Sequence, residues 1–143
     1  MNKKDDITLI APCGIHCGAC PMYKVKDDPS LGEALTKRAN WNGVPCPGCR
    51  SGKGTNQFTD GTCATYACAT GRGLDFCFEC KEFPCARLNP AADRADVLPH
   101  NLKIFNLSFI KQHGVAKYLE KEPEIKMRYY RGKMVIGRGP QLE

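Results

Sequence analysis

Large aliphatic side chains are scarce in the middle of this chain, and no part of it is apolar for long. Residues 41–85 hold Trp41, Val44, Phe58, Leu74, Phe76, Phe78 and Phe83, and little else of size. A segment that poor in Leu, Ile and Val needs staples to stay folded. No run approaches the ~20 apolar residues of a membrane span, so no membrane role is expected. The leading Met1–Asp6 is charged and Ile7–Ala11 is too short for the apolar region of a secretory signal, which makes a cytoplasmic address the default. No Ser/His/Asp set and no carboxylate pair stands out, so no catalytic residue is assigned. Gly137-Arg138-Gly139-Pro140 lacks the Lys-Ser/Thr and the strand–helix setting of a phosphate loop. Cysteine is missing altogether after Cys85.

Before that point cysteine is abundant. Ten fall between Cys13 and Cys85, as Cys13-x3-Cys17-x2-Cys20, Cys46-x2-Cys49, Cys63-x4-Cys68 and Cys77-x2-Cys80-x4-Cys85. A CxxC loop aims two thiolates at one ion, and two such loops close a tetrahedral site. Cytosolic thiols stay reduced, so metal is favoured over structural disulfides. The ten divide into two sets of five, each sufficient for one four-cysteine site with one cysteine over; Cys13 and Cys63 are the candidates for the spares. His16 could replace a ligand, although a lone histidine is more often a surface residue.

Zinc is the leading cofactor and an iron–sulfur cluster, which also needs four thiolates, is the rival. The two-two-three spacing of the bacterial ferredoxin run is absent. Cys13-x3-Cys17-x2-Cys20 has the spacing of a radical S-adenosylmethionine cluster loop, but the chain is too short for the barrel that chemistry needs. Cys46-Pro47-Gly48-Cys49 could be a redox dithiol. It would then draw on a low-pKa thiolate among Cys46, Cys49 or a spare cysteine, but it lacks the βαβ setting such motifs occupy.

The formal charge of +6 invites a nucleic-acid reading. Metal-bound cysteines are thiolates, however, and a Zn(Cys)4 site carries about −2, so two sites would bring the total to about +2. Arg128-Tyr129-Tyr130-Arg131-x-Lys133 interleaves base with aromatics, as a single-strand platform would, but reads more readily as a solvated amphipathic edge. A protein partner is the leading expectation.

Local signals sketch the rest. Ile7–Ile10 suits a short strand. Ser30 and Glu33 form a capping box for a helix to about Asn40. Asn89-Pro90 opens a helical turn through Ala95. Leu102, Phe105, Phe109 and Ile110, widened by Ile104 and Leu107, mark a core-facing helix between Pro99 and Gly114. A second short helix from Val115 breaks near Pro123, and residues 125–140 allow a hairpin near Arg131-Gly132. Phe76, Phe78 and Phe83 are expected to pack around a metal site.

The fold class expected is a small α+β single domain, 1–143. Residues 10–88 form an irregular, metal-stapled part of zinc-knuckle or ribbon type. Residues 89–143 form a helical part with a basic, glycine-containing tail.

The ordered series Cys13-Gly14-Ile15-His16-Cys17-Gly18-Ala19-Cys20-Pro21, Cys46-Pro47-Gly48-Cys49-Arg50, Cys63-x4-Cys68-Ala69 and Cys77-Phe78-Glu79-Cys80-Lys81-Glu82-Phe83-Pro84-Cys85-x-x-Leu88 resembles a family of small cysteine-rich bacterial and archaeal proteins, Domain of Unknown Function 3795. Asn106-x-x-x-Ile110-Lys111-x-x-Gly114 and Tyr118-Leu119 continue the likeness, which covers roughly residues 10 to 120. The resemblance implies a zinc- or iron–sulfur-binding protein without assigned activity, and supplies no catalytic residue. Some such proteins carry a further CxxC ribbon after the Tyr118-Leu119 segment, which this chain lacks. The combined expectation is a non-enzymatic binding or adaptor module with two cysteine-ligated structural zinc sites. An iron–sulfur electron carrier and a thiol oxidoreductase are the alternatives.

Overall fold

The computed structural model describes residues 7–88, 102–133, 135–138 and 141–142. Five α-helices are set out along them: α1 (Pro21–Lys24), α2 (Gly32–Ala39), α3 (Ala64–Gly71), α4 (Lys103–His113) and α5 (Val115–Arg131). Single 3-10 turns stand at Cys17–Ala19, Pro29–Leu31, Cys77–Glu79 and Ala86–Leu88. The fold is therefore helical, and the expected α+β class is not met. Among the described residues, extended pairing is limited to an isolated antiparallel bridge between Ile10 and His16. Ile7 and Thr8 are helical instead of extended. The chain then folds back at once: the Ala11 amide donates to the Ile15 carbonyl at 2.8 Å and the Gly14 amide to the Ala11 carbonyl at 2.9 Å. So tight a reversal leaves no length for a strand, and no β-ribbon frames a cysteine pair.

The main core gathers Ile10, Phe76, Leu88, Leu102, Leu107, Ile110, Tyr118 and Ile125. The N-terminal segment, the approach to Cys77 and both long helices thus share one apolar cluster. α4 and α5 meet at Gly114, which carries φ +84° and ends the first helix by donating its amide to Ile110. The stripe on α4 is rotated from the expected one. Leu102, Asn106 and Ile110 are buried at i, i+4, i+8 spacing, whereas Ile104 is exposed. Phe105 and Phe109 pack at the edge of the cluster.

α5 does not break at Pro123 but runs on to Arg131, replacing the expected hairpin. A proline in a helix interior costs about 3 kcal/mol. Tyr118 and Ile125 flank it and are both 1% exposed, so burial on either side holds the helix straight through. The Ser30–Glu33 capping box also fails to form. Asp28 caps instead, accepting from the Ser30 amide at 3.2 Å, while Glu33 turns outward to Lys37 at 2.6 Å. α2 does stop as expected, with Asn40 in the left-handed region at φ 51°. The turn assigned to Asn89–Ala95, and Pro99, lie outside the described residues. No helix among them is long and apolar enough to cross a membrane.

A second, smaller cluster of Met22, Val25 and Leu35 sits apart, with Leu31, Trp41, Phe58, Cys20 and Cys46 packed on it. Three buried side chains are little with which to hold a segment of this length.

Gly14 is where the N-terminal turn meets α4. It has φ +91°, and a Cβ there would lie 2.6 Å from the Lys103 carbonyl oxygen and 2.8 Å from the Leu107 side chain. Gly14→Ala is expected to cost about 3 kcal/mol, combining left-handed strain with overpacking. Gly43→Ala, at φ +88° in open space, should cost only about 1 kcal/mol. Urea denaturation of both variants measures the difference.

Candidate metal centre

Two of the three CxxC loops adopt the same backbone form. Cys17–Ala19 and Cys77–Glu79 are each one 3-10 turn, closed when the second cysteine's amide donates to the first cysteine's carbonyl (3.0 Å at Cys20, 3.1 Å at Cys80). The second cysteine then turns extended, at φ −73°, ψ 130° for Cys20 and φ −76°, ψ 141° for Cys80. The third loop, Cys46–Cys49, uses Gly48 at φ +89° to turn. It is tied back by the Cys46 amide donating to the Met22 carbonyl at 2.8 Å.

All ten cysteines are free thiols. The first loop and the third meet where the Cys49 amide donates to Cys17 Sγ at 3.4 Å. The Cys49 thiol also donates to Cys17, and with the nearby His16 this outweighs burial and lowers the Cys17 pKa to about 7. Donating drives the Cys49 thiol upward, and burial adds to the effect. Burial pushes Cys20 up to about 11, with charge on Cys17 and Cys46 adding to it. Burial likewise raises Cys46, and Cys17 again contributes. Cys20, Cys46 and Cys49 thus all sense Cys17, and Cys49 senses Cys13 as well.

A second set surrounds Cys77, which burial pushes up to about 12, with Cys13, Cys85, Cys68 and Cys80 adding repulsion. Cys68, Cys77, Cys80 and Cys85 line one cavity of about 510 Å³. Phe83 lines it too, while Phe76 and Phe78 stack at 5.3 Å and belong to the main core. Cys13 acts on both sets: burial and then Cys17 and Cys63 raise its pKa, and it in turn raises Cys49 and Cys77. Cys46, Cys49 and Cys13 are raised, and the lowered thiol is Cys17, which is 5% exposed.

Each set carries an arginine that cysteine spacing does not reveal. Arg50 Nε donates to the Ile10 carbonyl at 2.7 Å and Nη2 to the Asp75 carbonyl at 2.6 Å. Its guanidinium lies 5.1 Å from the Phe76 ring centre. Burial lowers the Arg50 pKa, while Asp75, Cys17 and Cys49 favour its charge. Arg72 Nη1 donates to Cys80 Sγ at 3.1 Å and pairs with Glu82 at 2.9 Å. The Glu82 amide donates to the same sulfur at 3.4 Å. Glu79, the x residue of the second knuckle, accepts from the Asp75 amide at 2.9 Å and the Phe76 amide at 3.2 Å. Glu79 is a cap that its position three residues after Phe76 could have signalled.

His16 does not join the sulfurs. Its Nδ1 faces Glu122 Oε1 at 3.6 Å, an ion-pair distance too long for a hydrogen bond, and its ring meets Tyr118 edge-on at 5.8 Å. Among the described residues, no three His, Cys, Asp or Glu side chains converge closely enough to hold a metal ion as they stand. The donor chemistry fits a thiophilic cation all the same. Thiols gather on short loops and on α3, with the Cys49 and Glu82 amides and the Arg72 guanidinium directed at their sulfurs.

A family described as protein of unknown function (DUF3795) matches residues 9–90, and the chain belongs to it. No curated protein and no solved structure matches.

Arg50 anchors two segments distant in sequence, and Arg50→Ala is expected to cost about 2–3 kcal/mol through loss of its charge-assisted bonds. Arg50→Lys should recover less than half of that, because one ammonium cannot reproduce the fork. Urea midpoints for the two variants test the order.

Proposed function

We propose that this DUF3795 protein is a non-enzymatic binding module built on two structural zinc sites. Cys17, Cys20, Cys46 and Cys49 would hold one ion, and Cys68, Cys77, Cys80 and Cys85 the other. Cys13 and Cys63 remain outside both. Zinc bound this way supplies folding free energy and no redox chemistry. The observation that supports the reading is that Cys68, Cys77, Cys80 and Cys85 line one cavity while Cys49 bonds to Cys17. Each set is built on a 3-10 CxxC turn and has an arginine beside it. A Zn(Cys)4 site carries about −2, so Arg50 and Arg72 offset part of the charge the metal would bring. The thin Met22–Val25–Leu35 cluster supplies the need for a staple.

A buried Cys17 is poorly placed for thiol exchange, which needs access as well as a thiolate. A reducing, cytoplasmic setting would keep the thiols available to metal. The role left to the folded chain is recognition of a protein partner.

Anaerobically purified protein should be colourless and contain close to two zinc ions per chain by inductively coupled plasma mass spectrometry. Cys20→Ser and Cys80→Ser should each lose one equivalent, and Cys63→Ser none. Iron with matching sulfide and visible absorption would replace zinc with a cluster. Metal-free folded protein would overturn both. Strong chelation should collapse the circular dichroism signal. An unchanged spectrum after metal removal would show that the fold does not depend on metal.

A further inference from the structure

A cavity of about 640 Å³ opens between the Cys17–Ala19 turn and the C-terminal half of α5. Its size lies within the ~300–1,000 Å³ of small-molecule sites. Its polar lining is unbalanced. Lys24, Lys126 and Arg131 face a single carboxylate, Glu122, which is engaged by His16 at 3.6 Å. Burial pushes the Glu122 carboxyl up, but His16, Lys126 and Lys24 more than offset this and hold it below its usual range. With histidine neutral, the cavity therefore carries two positive charges more than negative ones.

The remaining wall is apolar. Ala19, Pro123, Met127 and Tyr130 line it, and Met127 is 61% exposed and Tyr130 46%. Met127 and Tyr130, whose ring meets Tyr129 edge-on at 5.0 Å, offer adaptable, stackable surface. Gly18 is closely packed, since a Cβ there would meet His16 Nε2 at 3.0 Å and Leu9 at 3.4 Å.

We infer that this cavity binds a small organic anion, whose phosphate or carboxylate head meets Lys24, Lys126 and Arg131 and whose short apolar or aromatic body lies against Met127 and Tyr130. The long, separate stems of two lysines and an arginine suit an anion of several oxygens. None of the cysteines lines the cavity, although Gly18 and Ala19, which form one wall, stand between Cys17 and Cys20.

Metal-replete ¹⁵N-labelled protein, as isolated, is titrated with phenyl phosphate, benzoate, inorganic phosphate and neutral benzyl alcohol while amide shifts are followed. Phenyl phosphate or benzoate should move Gly18, Ala19, Lys24, Lys126 and Arg131 saturably by ~10 mM, the range of a weak fragment. Whichever binds tighter identifies the head group. Inorganic phosphate should bind less tightly than phenyl phosphate, and benzyl alcohol should leave these amides still. Lys126→Gln and Arg131→Gln should each weaken binding about tenfold, and Lys117→Gln, on the surface outside the cavity, should leave it unchanged. The variants' own spectra report whether they remain folded. Absence of saturable shifts, shifts centred on other basic residues, or equal binding by the Gln variants would overturn the assignment.

Discussion

One guanidinium ties the cysteine-bearing segments to the core. Arg50 follows directly on the Cys46–Cys49 loop, reaches back forty residues to the Ile10 carbonyl and forward twenty-five to that of Asp75, and lies over Phe76. Ile10 and Phe76 are both members of the main apolar cluster, so the loop is joined to the core through backbone acceptors it could not otherwise reach. Half-burying a cation without a carboxylate directly paired to it is costly. The cost is met by two charge-assisted bonds, a ring face and the negative charge of Asp75, to which thiolates at Cys17 and Cys49 would add. A positive group at this point and anionic sulfur beside it therefore stabilise each other.

The same arrangement recurs at the other set in exposed form. Arg72 meets Cys80 Sγ and Glu82 near solvent, where an ion pair contributes little to stability. The two arginines thus have unequal structural roles. Arg50 links segments, while Arg72 chiefly places positive charge and a donor at a sulfur. The apolar clusters show a matching asymmetry. Cys13 and Cys77 pack on the main core, whereas Cys20 and Cys46 rest on a cluster of three buried side chains. The apolar cluster beneath Cys20 and Cys46 is thus the smaller of the two.

Local chemistry made part of this legible in the sequence. The turn-forming CxxC spacings and the end of α2 at Asn40 follow from spacing or from the backbone freedom of one residue type. Tertiary contacts decided what was misread. Ile7–Ile10 has strand composition but no room for a partner before the reversal at Gly14. Pro123 should end a helix, yet Tyr118 and Ile125 are buried on both sides of it. Asn106 sits in the i, i+4, i+8 series with Leu102 and Ile110, so a polar residue in an apolar stripe was visible. Its partner, the Gly14 carbonyl at 2.8 Å, lies ninety-two residues away and was not. Arg50 carries no spacing signal at all, because its acceptors are backbone groups that any sequence supplies.

The C-terminal helices gain their position from the cysteine-rich half as much as they cover it. Gly14 admits α4 at van der Waals distance, and Asn106 satisfies the Gly14 carbonyl. On α5, Lys126 Nζ reaches the Ala19 carbonyl at 3.5 Å, and Glu122 faces His16. These contacts land on the turn that carries Cys17 and on the residue before it. That turn is consequently shared: one side presents sulfur to Cys49, and the other forms a wall of the cationic cavity. A 3-10 turn of three residues has little freedom to move one side without the other. Ordering of the sulfurs and ordering of the cavity wall are therefore a single structural event, and anything that fixes Cys17 also fixes Gly18 and Ala19 against α5.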